Sequence, residues 1–204
     1  MDEVFKMVNP EIIIEIEENI NHDKSLKNAS RFDMTKIDSD IIDEINTHID
    51  QAVVFDLSEK FTLYDDIIAY IKRLGVKDYL RRNGEVKEAT FYQRAYIDKS
   101  TWSDIKWDKI NPSKKTILKL IIALELNEKE SEEMLRKCKE RFEYDNIQDQ
   151  IILAIIKIRT KRKLEIEEVK DILFEYQEMY KEINPFDCIY ETPEMIAERK
   201  TEKN

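Results

Sequence analysis

The sequence predicts an all-α protein, a multi-helix bundle, and three observations predict it. Only two Gly and four Pro occur in 204 residues, too little turn chemistry for a succession of hairpins. Charged residues make up 38% of the chain, and Ile, Leu, Glu and Lys dominate, a composition that favours helices. Apolar residues recur at helical spacing through most of the length and lay a stripe along one face of each segment. The 42% hydrophobic content is enough for a core, and the length allows one large domain or two small ones. There is no long apolar run and no basic, apolar, small-residue start. The chain therefore reads as cytoplasmic, without a membrane span or signal peptide.

Four regions are expected. Residues 1–60 form an acidic helical segment suited to dimerisation or to a protein partner, and 61–145 a helix-turn-helix core. Residues 146–190 form a C-terminal helical extension packed on that core, and 191–204 a frayed tail. In the first region, Glu11-Ile-Ile-Ile-Glu-Ile-Glu-Glu alternates briefly. That fits either one short N-terminal strand or the first turns of a helix. Asn21 to Arg31 is polar and reads as a loop, with His22 solvated rather than metal-bound, since it has no ligand-spaced partners. From Ile37 the pattern is clear. Ile37, Ile41, Ile42, Ile45, Ile49 and Val53 form an apolar helix face, and Asp38, Asp40, Asp43, Glu44 and Asp50 the solvated opposite face. Those carboxylates show no pairing across a cleft that would favour a metal or acid/base role, and His48 reads as surface or core-edge.

Phe61 to Gly75 reads as a helix with a glycine stop, burying Leu63, Ile67, Ile68, Ile71 and Leu74. Val76 to Gly84 reads as a second short helix, again ended by glycine. Phe91 to Ile105 reads as two short helices joined at Ile97-Asp98, with Asp98 as the second N-cap. Phe91, Ala95, Ile97, Trp102 and Ile105 are the positions such a pair must bury. Lys99, Ser100, Ser103, Asp104 and Lys106 are left to face outward. Ser113 is expected to cap an apolar, central helix carrying Ile117, Leu118, Leu120, Ile121, Ile122, Leu124 and Leu126. A further helix runs from Glu128 to about Phe142 with Met134, Leu135 and Cys138 inward. Ile147 to Ile158 is apolar, and the basic turn Thr160–Lys163 suits either a phosphate or the negative end of a helix dipole. Leu164 to Tyr180 is amphipathic, with Val169, Ile172, Leu173, Tyr176 and Met179 inward, and Asn184-Pro185 ends it. Phe186 to Tyr190 is a short apolar piece. Cys138 and Cys188 sit in no CxxC or Cys/His cluster and read as reduced, packed thiols.

The two helices of Phe91–Ile105 coincide with a concentration of positive charge. Between Ala89 and Leu120, seven Lys/Arg stand against Asp98, Asp104 and Asp108, a local +4 in a chain of net charge −10. The rest of the chain therefore carries −14. The overall sign argues against a general polyanion binder, and the local excess favours nucleic acid at this stretch.

The register Phe91-Tyr92-Gln-Arg-Ala95-Tyr96-Ile97-Asp98-x-x-Thr101-Trp102-Ser103-x-Ile105 resembles the helix-turn-helix of repressors of the lambda, Cro and XRE type. Pro112-Ser113-Lys-Lys-Thr116-x-Leu118, followed by Ala123-Leu124-Glu125-Leu126-Asn127, resembles that family's fourth and fifth helices. The chain is closer still to an XRE-like subgroup from Gram-positive bacteria that carries a helical tail like Asp149–Ile156. The resemblance covers roughly Val76 to Tyr180. It implies a bacterial or phage transcriptional regulator that binds duplex DNA as a dimer. By the same resemblance Lys99, Ser100 and Asp104 face bases. Lys99 suits guanine and Ser100 almost any base, whereas Asp104 accepts only from a cytosine amino group. Arg94, Lys106, Lys109, Lys114 and Lys115 are expected at phosphates. Trp107 is expected to pack its loop against the core rather than to stack on a base. Two positions depart from the family. Tyr92 stands where Ala is usual and should spread the helices. Tyr96 stands where Gly is usual, implying a different turn or some strain.

A second function fits the same residues: a helix-turn-helix scaffold that docks a protein, as an antitoxin or accessory adaptor of a phage or defence system does, without reading DNA. The −14 elsewhere, Asp104 and the two tyrosines favour it. No phosphate-cradling GxGxxG or GxxxxGK[ST], nucleophile elbow or paired histidines are present. No enzyme, cofactor or metal site is expected.

Overall fold

A computed structural model of the chain describes residues 9–29, 62–143, 145–180 and 188–190, with side chains in the first helix as far as Asn21. The expected helix Ile37–Val53 with its acidic face and His48, the Asn184-Pro185 stop and the tail 191–204 lie outside the described residues. Among those described, the protein is all-helical: α1 (Pro10–Ala29), α2 (Leu63–Leu74), α3 (Glu88–Arg94), α4 (Lys99–Lys106), α5 (Lys114–Ala123), α6 (Glu128–Lys137), α7 (Ile147–Arg159) and α8 (Ile166–Tyr180).

Of the two readings of Glu11–Glu18 the helix holds, and α1 runs on through Asn21–Ala29 where a loop was expected, so that His22 sits on a helix. Pro10 fits the first helical position, and the Asn9 side chain accepts from the Glu11 amide at 3.0 Å. Ile12, Ile16 and Ile20 are buried at a spacing of four while Ile14 is 56% exposed, so the apparent alternation was one helical stripe. α1 packs along α7. Its Glu15 takes Lys161 at 3.2 Å and Arg162 at 3.7 Å, so two of the basic-turn residues are already paired.

α2 begins in a capping box between Thr62 and Asp65 and stops at Gly75, which adopts φ 65°. Ile67 and Ile71 are fully buried on its inner side. The helix expected at Val76–Gly84 is instead one 3-10 turn, Lys77–Tyr79, followed by a tight reversal. Leu80 bridges Val86 antiparallel, the Arg81 amide donates to Glu85 O at 2.8 Å, and Gly84 takes φ 81°. Asn83-Gly84 is a strong turn signal, and here it overrides helix propensity.

α5 is the central helix, with Ile117, Leu118, Leu120, Ile121, Ile122 and Ala123 all buried. α7 is equally enclosed from Ile151 to Ile156. α6 ends at Lys137, short of the expected Phe142, and Met179 is 46% exposed rather than inward. Cys138 and Cys188 are buried and not joined in a disulfide, and burial lifts the Cys138 thiol to about 11, which keeps it unreactive at neutral pH. Asp149 is 1% exposed, held by the Lys114 ammonium at 2.6 Å and the Glu143 amide at 2.6 Å. Burial pushes its pKa up, against the pull of both partners.

The four helices from α3 to α6 all end the same way without glycine. Tyr96 (φ 55°), Asp108 (φ 50°), Glu125 (φ 53°) and Lys139 (φ 59°) each take the left-handed conformation just after the helix. Each time the paired closing bonds of a Schellman motif form. In α3 the Ile97 amide reaches Tyr92 O at 2.9 Å and the Tyr96 amide reaches Gln93 O at 3.1 Å. Such a conformation costs a side-chain-bearing residue about 1–2 kcal/mol. Lys139 is exposed, and its side chain makes no hydrogen bond or ion pair among the described residues. Lys139→Gly is therefore expected to raise stability by roughly 0.5–1 kcal/mol after the extra unfolded-state entropy of glycine is subtracted. Urea titration reads this directly, and an unchanged or lower midpoint would contradict it.

Candidate interaction surface around α3 and α4

α3 and α4 bury the five residues expected of the pair: Phe91, Ala95, Ile97, Trp102 and Ile105 are all 6% exposed or less. Trp102 is the centre of an aromatic cluster. Its ring lies 5.8 Å from Tyr64, 5.6 Å from Phe91 and 5.9 Å from Tyr92. Tyr92 thus fills the space between the helices by packing on Trp102. Glu88, the first residue of α3, ties the cluster to α2 and α4. It accepts from Trp102 Nε1 at 2.8 Å, Lys106 Nζ at 2.8 Å and the Tyr64 hydroxyl at 2.9 Å. Burial alone would raise its pKa, but these three bonds outweigh it and hold the carboxyl below its ordinary value.

α4 is started by Asp98, whose carboxylate accepts from the Thr101 amide at 2.8 Å and hydroxyl at 2.6 Å, and from the Ser100 hydroxyl at 2.6 Å. These bonds lower its pKa to about 2. Tyr96 takes a left-handed conformation (φ 55°), which strains a residue bearing a side chain where glycine would not be strained. Contacts from elsewhere hold it there. Its hydroxyl donates to Glu167 and accepts from Lys170 at 2.7 Å, its carbonyl accepts from Lys119 at 3.2 Å, and its ring meets Tyr190 edge-on at 5.4 Å. The turn is clamped onto α8.

The three residues expected at bases all belong to α4. Lys99 is exposed and has no ion-pair partner among the described residues. Ser100 is exposed, but its hydroxyl points back to Asp98. Asp104 is half-buried, and its carboxylate lies 3.9 Å from Lys109 Nζ, bracing the end of the helix.

The cations expected at phosphates are engaged within the chain. Arg94 meets Glu165 at 3.3 Å, Lys106 meets Glu88 at 2.8 Å, and Lys109 meets Asp104. Lys114 lies between Asp149 at 2.6 Å and Glu143 at 3.8 Å. Lys115 is half-buried in the first turn of α5. Glu88, Glu143, Asp149 and Glu165 all lie outside Ala89–Leu120, so the fold brings four carboxylates to a stretch whose own excess is +4. The positive patch is largely cancelled.

Trp107 corrects a further expectation. It is 65% exposed and does not anchor its loop. The anchoring falls to Pro112, which is buried, and to Asn111, whose amide donates to Cys138 O at 2.6 Å. Asp108 turns the chain back immediately after Trp107 and leaves the indole outside; Ile110, three residues on, is 43% exposed. The helix-ending turn is the reason, and a Schellman end with Asp in place of Gly carries little sequence signal. The carboxylates that neutralise the patch were also missed, because their partners lie up to 71 residues away.

Compared with protein-family models, curated proteins and solved structures, the chain matches none.

Proposed function

We propose that this chain is a protein-interaction module on a helix-turn-helix scaffold, an accessory or antitoxin-like adaptor, and does not read DNA. One observation carries the reading: Arg94, Lys106, Lys109 and Lys114 each lie within 4 Å of a carboxylate of the same chain. Affinity for a phosphate backbone comes chiefly from cations that release counterions. A lysine already neutralised by its own chain releases few, and the carboxylate it leaves behind repels the phosphate. The exposed Trp107 and Ile110 supply what a protein partner recognises instead, an aromatic anchor with an apolar neighbour.

A regulator of the XRE type, dimeric on duplex DNA, is the second reading. Exposed, uncompensated Lys99 at the start of a well-capped α4 favours it. Binding to random duplex DNA, titrated with salt, separates the two. The adaptor reading expects no binding at low salt. Affinity that falls steeply as salt rises, with a slope shallower by about one for each phosphate-contacting lysine removed, would establish the regulator instead.

A further inference from the structure

Among the described residues, the large exposed apolar side chains are Ile14, Tyr96, Trp107, Ile110 and Met179. Ile14 lies on α1 and Met179 on α8, and the Tyr96 hydroxyl is already engaged with α8. Trp107 and Ile110 follow the end of a helix whose cap is fully hydrogen-bonded. The Asp108 amide donates to Ile105 O at 3.1 Å and the Lys109 amide to Asp104 O at 2.9 Å. The indole is therefore displayed from a rigid mount, and a preorganised aromatic loses little entropy on binding.

The charges around it point to what covers it. A protein of net charge −10 repels its own copies, so self-association needs a face without net charge. The outer side of α4 is such a face: Lys99 and Lys109 stand against Asp104 and Asp108. The arrangement is also polar end to end. Lys99 is the first residue of α4, Asp108 lies just past its last, and neither has an ion-pair partner among the described residues. Between them Ser100 and Ser103 are small, so a second helix is able to approach closely. A face with a free cation at one end and a free anion at the other is complementary to itself when turned through two-fold symmetry.

Resting on the adaptor reading above, we infer that one partner of this module is a second copy of the chain, docked through α4. The two α4 helices lie antiparallel about an axis near Ser103. Lys99 of each copy reaches the partner's Asp108 and the face of the partner's Trp107, and the two indoles cover the ends of the contact. α4 spans about 12 Å, so the contact is small and the dimer forms with rising concentration rather than obligately. The same contact hides the side of α4 that a DNA reader would insert.

Sedimentation equilibrium on the full chain, from about 1 to 300 μM to bracket a transient interface, tests this. The mass is expected to rise from monomer to dimer across that range. Trp107→Ala should weaken the dimer about thirtyfold, since it removes an aromatic anchor from each of the two copies. Lys99→Asp and Asp108→Lys should each weaken it, and the double variant, which exchanges the charges, should restore it. A chain that stays monomeric throughout overturns the inference. So does a dimer indifferent to Trp107→Ala, or a charge exchange that restores nothing. A monomer that also ignores duplex DNA at low salt overturns only the self-contact and leaves the adaptor reading standing with another protein as its partner. A monomer that binds DNA with a steep salt dependence removes both.

Discussion

Trp102→Ala is expected to lower stability by about 4 kcal/mol, the middle of the range for removing a large core aromatic. For a domain whose net stability is roughly 5–15 kcal/mol, that is a large share of the whole. Trp102 is 3% exposed and touches α2 through Tyr64 and α3 through Phe91 and Tyr92, so the cavity would open where three helices meet. The truncation also strips one of the three donors from Glu88. Trp102→Phe should cost less, about 1–2 kcal/mol: it keeps an aromatic ring in the cluster but loses the indole N–H and part of the ring's buried volume. Urea unfolding followed by far-UV circular dichroism reads both, and an unchanged slope would show that the native state alone is affected. A loss under 1 kcal/mol for Trp102→Ala would mean that this cluster does not hold the α2–α3–α4 corner together.

Lys114→Met is expected to cost about 3 kcal/mol at pH 7, because it leaves Asp149 buried without its cation. The sign of the pH dependence distinguishes this from a packing defect. Burial already raises the Asp149 pKa in the folded state, and removing Lys114 raises it further. A carboxyl whose folded pKa exceeds its unfolded one favours folding progressively more as pH falls through the folded value, down to the unfolded one near 4. The deficit of Lys114→Met relative to the parent should therefore shrink between neutral pH and about pH 4. Stability curves of the two proteins that run parallel over that window would contradict the buried-pair account. Asp149→Asn in the Lys114→Met background should recover much of the loss at pH 7, since the buried charge is then gone. The same pair explains why Lys114 serves poorly as a phosphate contact: drawing it outward would uncover a buried carboxylate.

Glu88 titrates in the opposite sense. Its folded pKa lies below its ordinary value, so the stability it contributes is present above the unfolded pKa and is lost as pH falls through the folded one. Asp98, lowered to about 2 by its capping bonds, behaves the same way over a window reaching down to that pH. Acid thus weakens the start of α4 and its tie to α2 together, while it relieves Asp149.

Much of the helical framework was legible because the signals are local. The stripe of α2 ended at Gly75, Asp98 and Ser113 capped α4 and α5, and the apolar run from Ile117 to Leu126 became the buried centre, each decided within a few residues. Period and glycine misled where two local signals competed. Glu11–Glu18 read as alternation until burial on α7 selected Ile12, Ile16 and Ile20, and Gly84 read as a helix stop although, with Asn83, it makes a reversal. The ends of α3 to α6 were harder still, since Tyr96, Asp108, Glu125 and Lys139 take a conformation their residue types disfavour.

The stretch Phe91–Ile105 shows where the division falls. By itself the sequence determined that these residues form two short helices about a turn, which of their side chains are buried, and that Asp98 starts the second. Helix periodicity and capping act within a turn or two of chain, and the order of residues records them. Only the tertiary structure decided what the surface of that pair is able to do. It set Glu88, Asp104, Asp149 and Glu165 against the lysines and arginine, held Tyr96 in a strained turn through α8, and left Trp107 outside. Charge compensation depends on distance in space, and three of those four carboxylates are brought to their cations from 18 to 71 residues away.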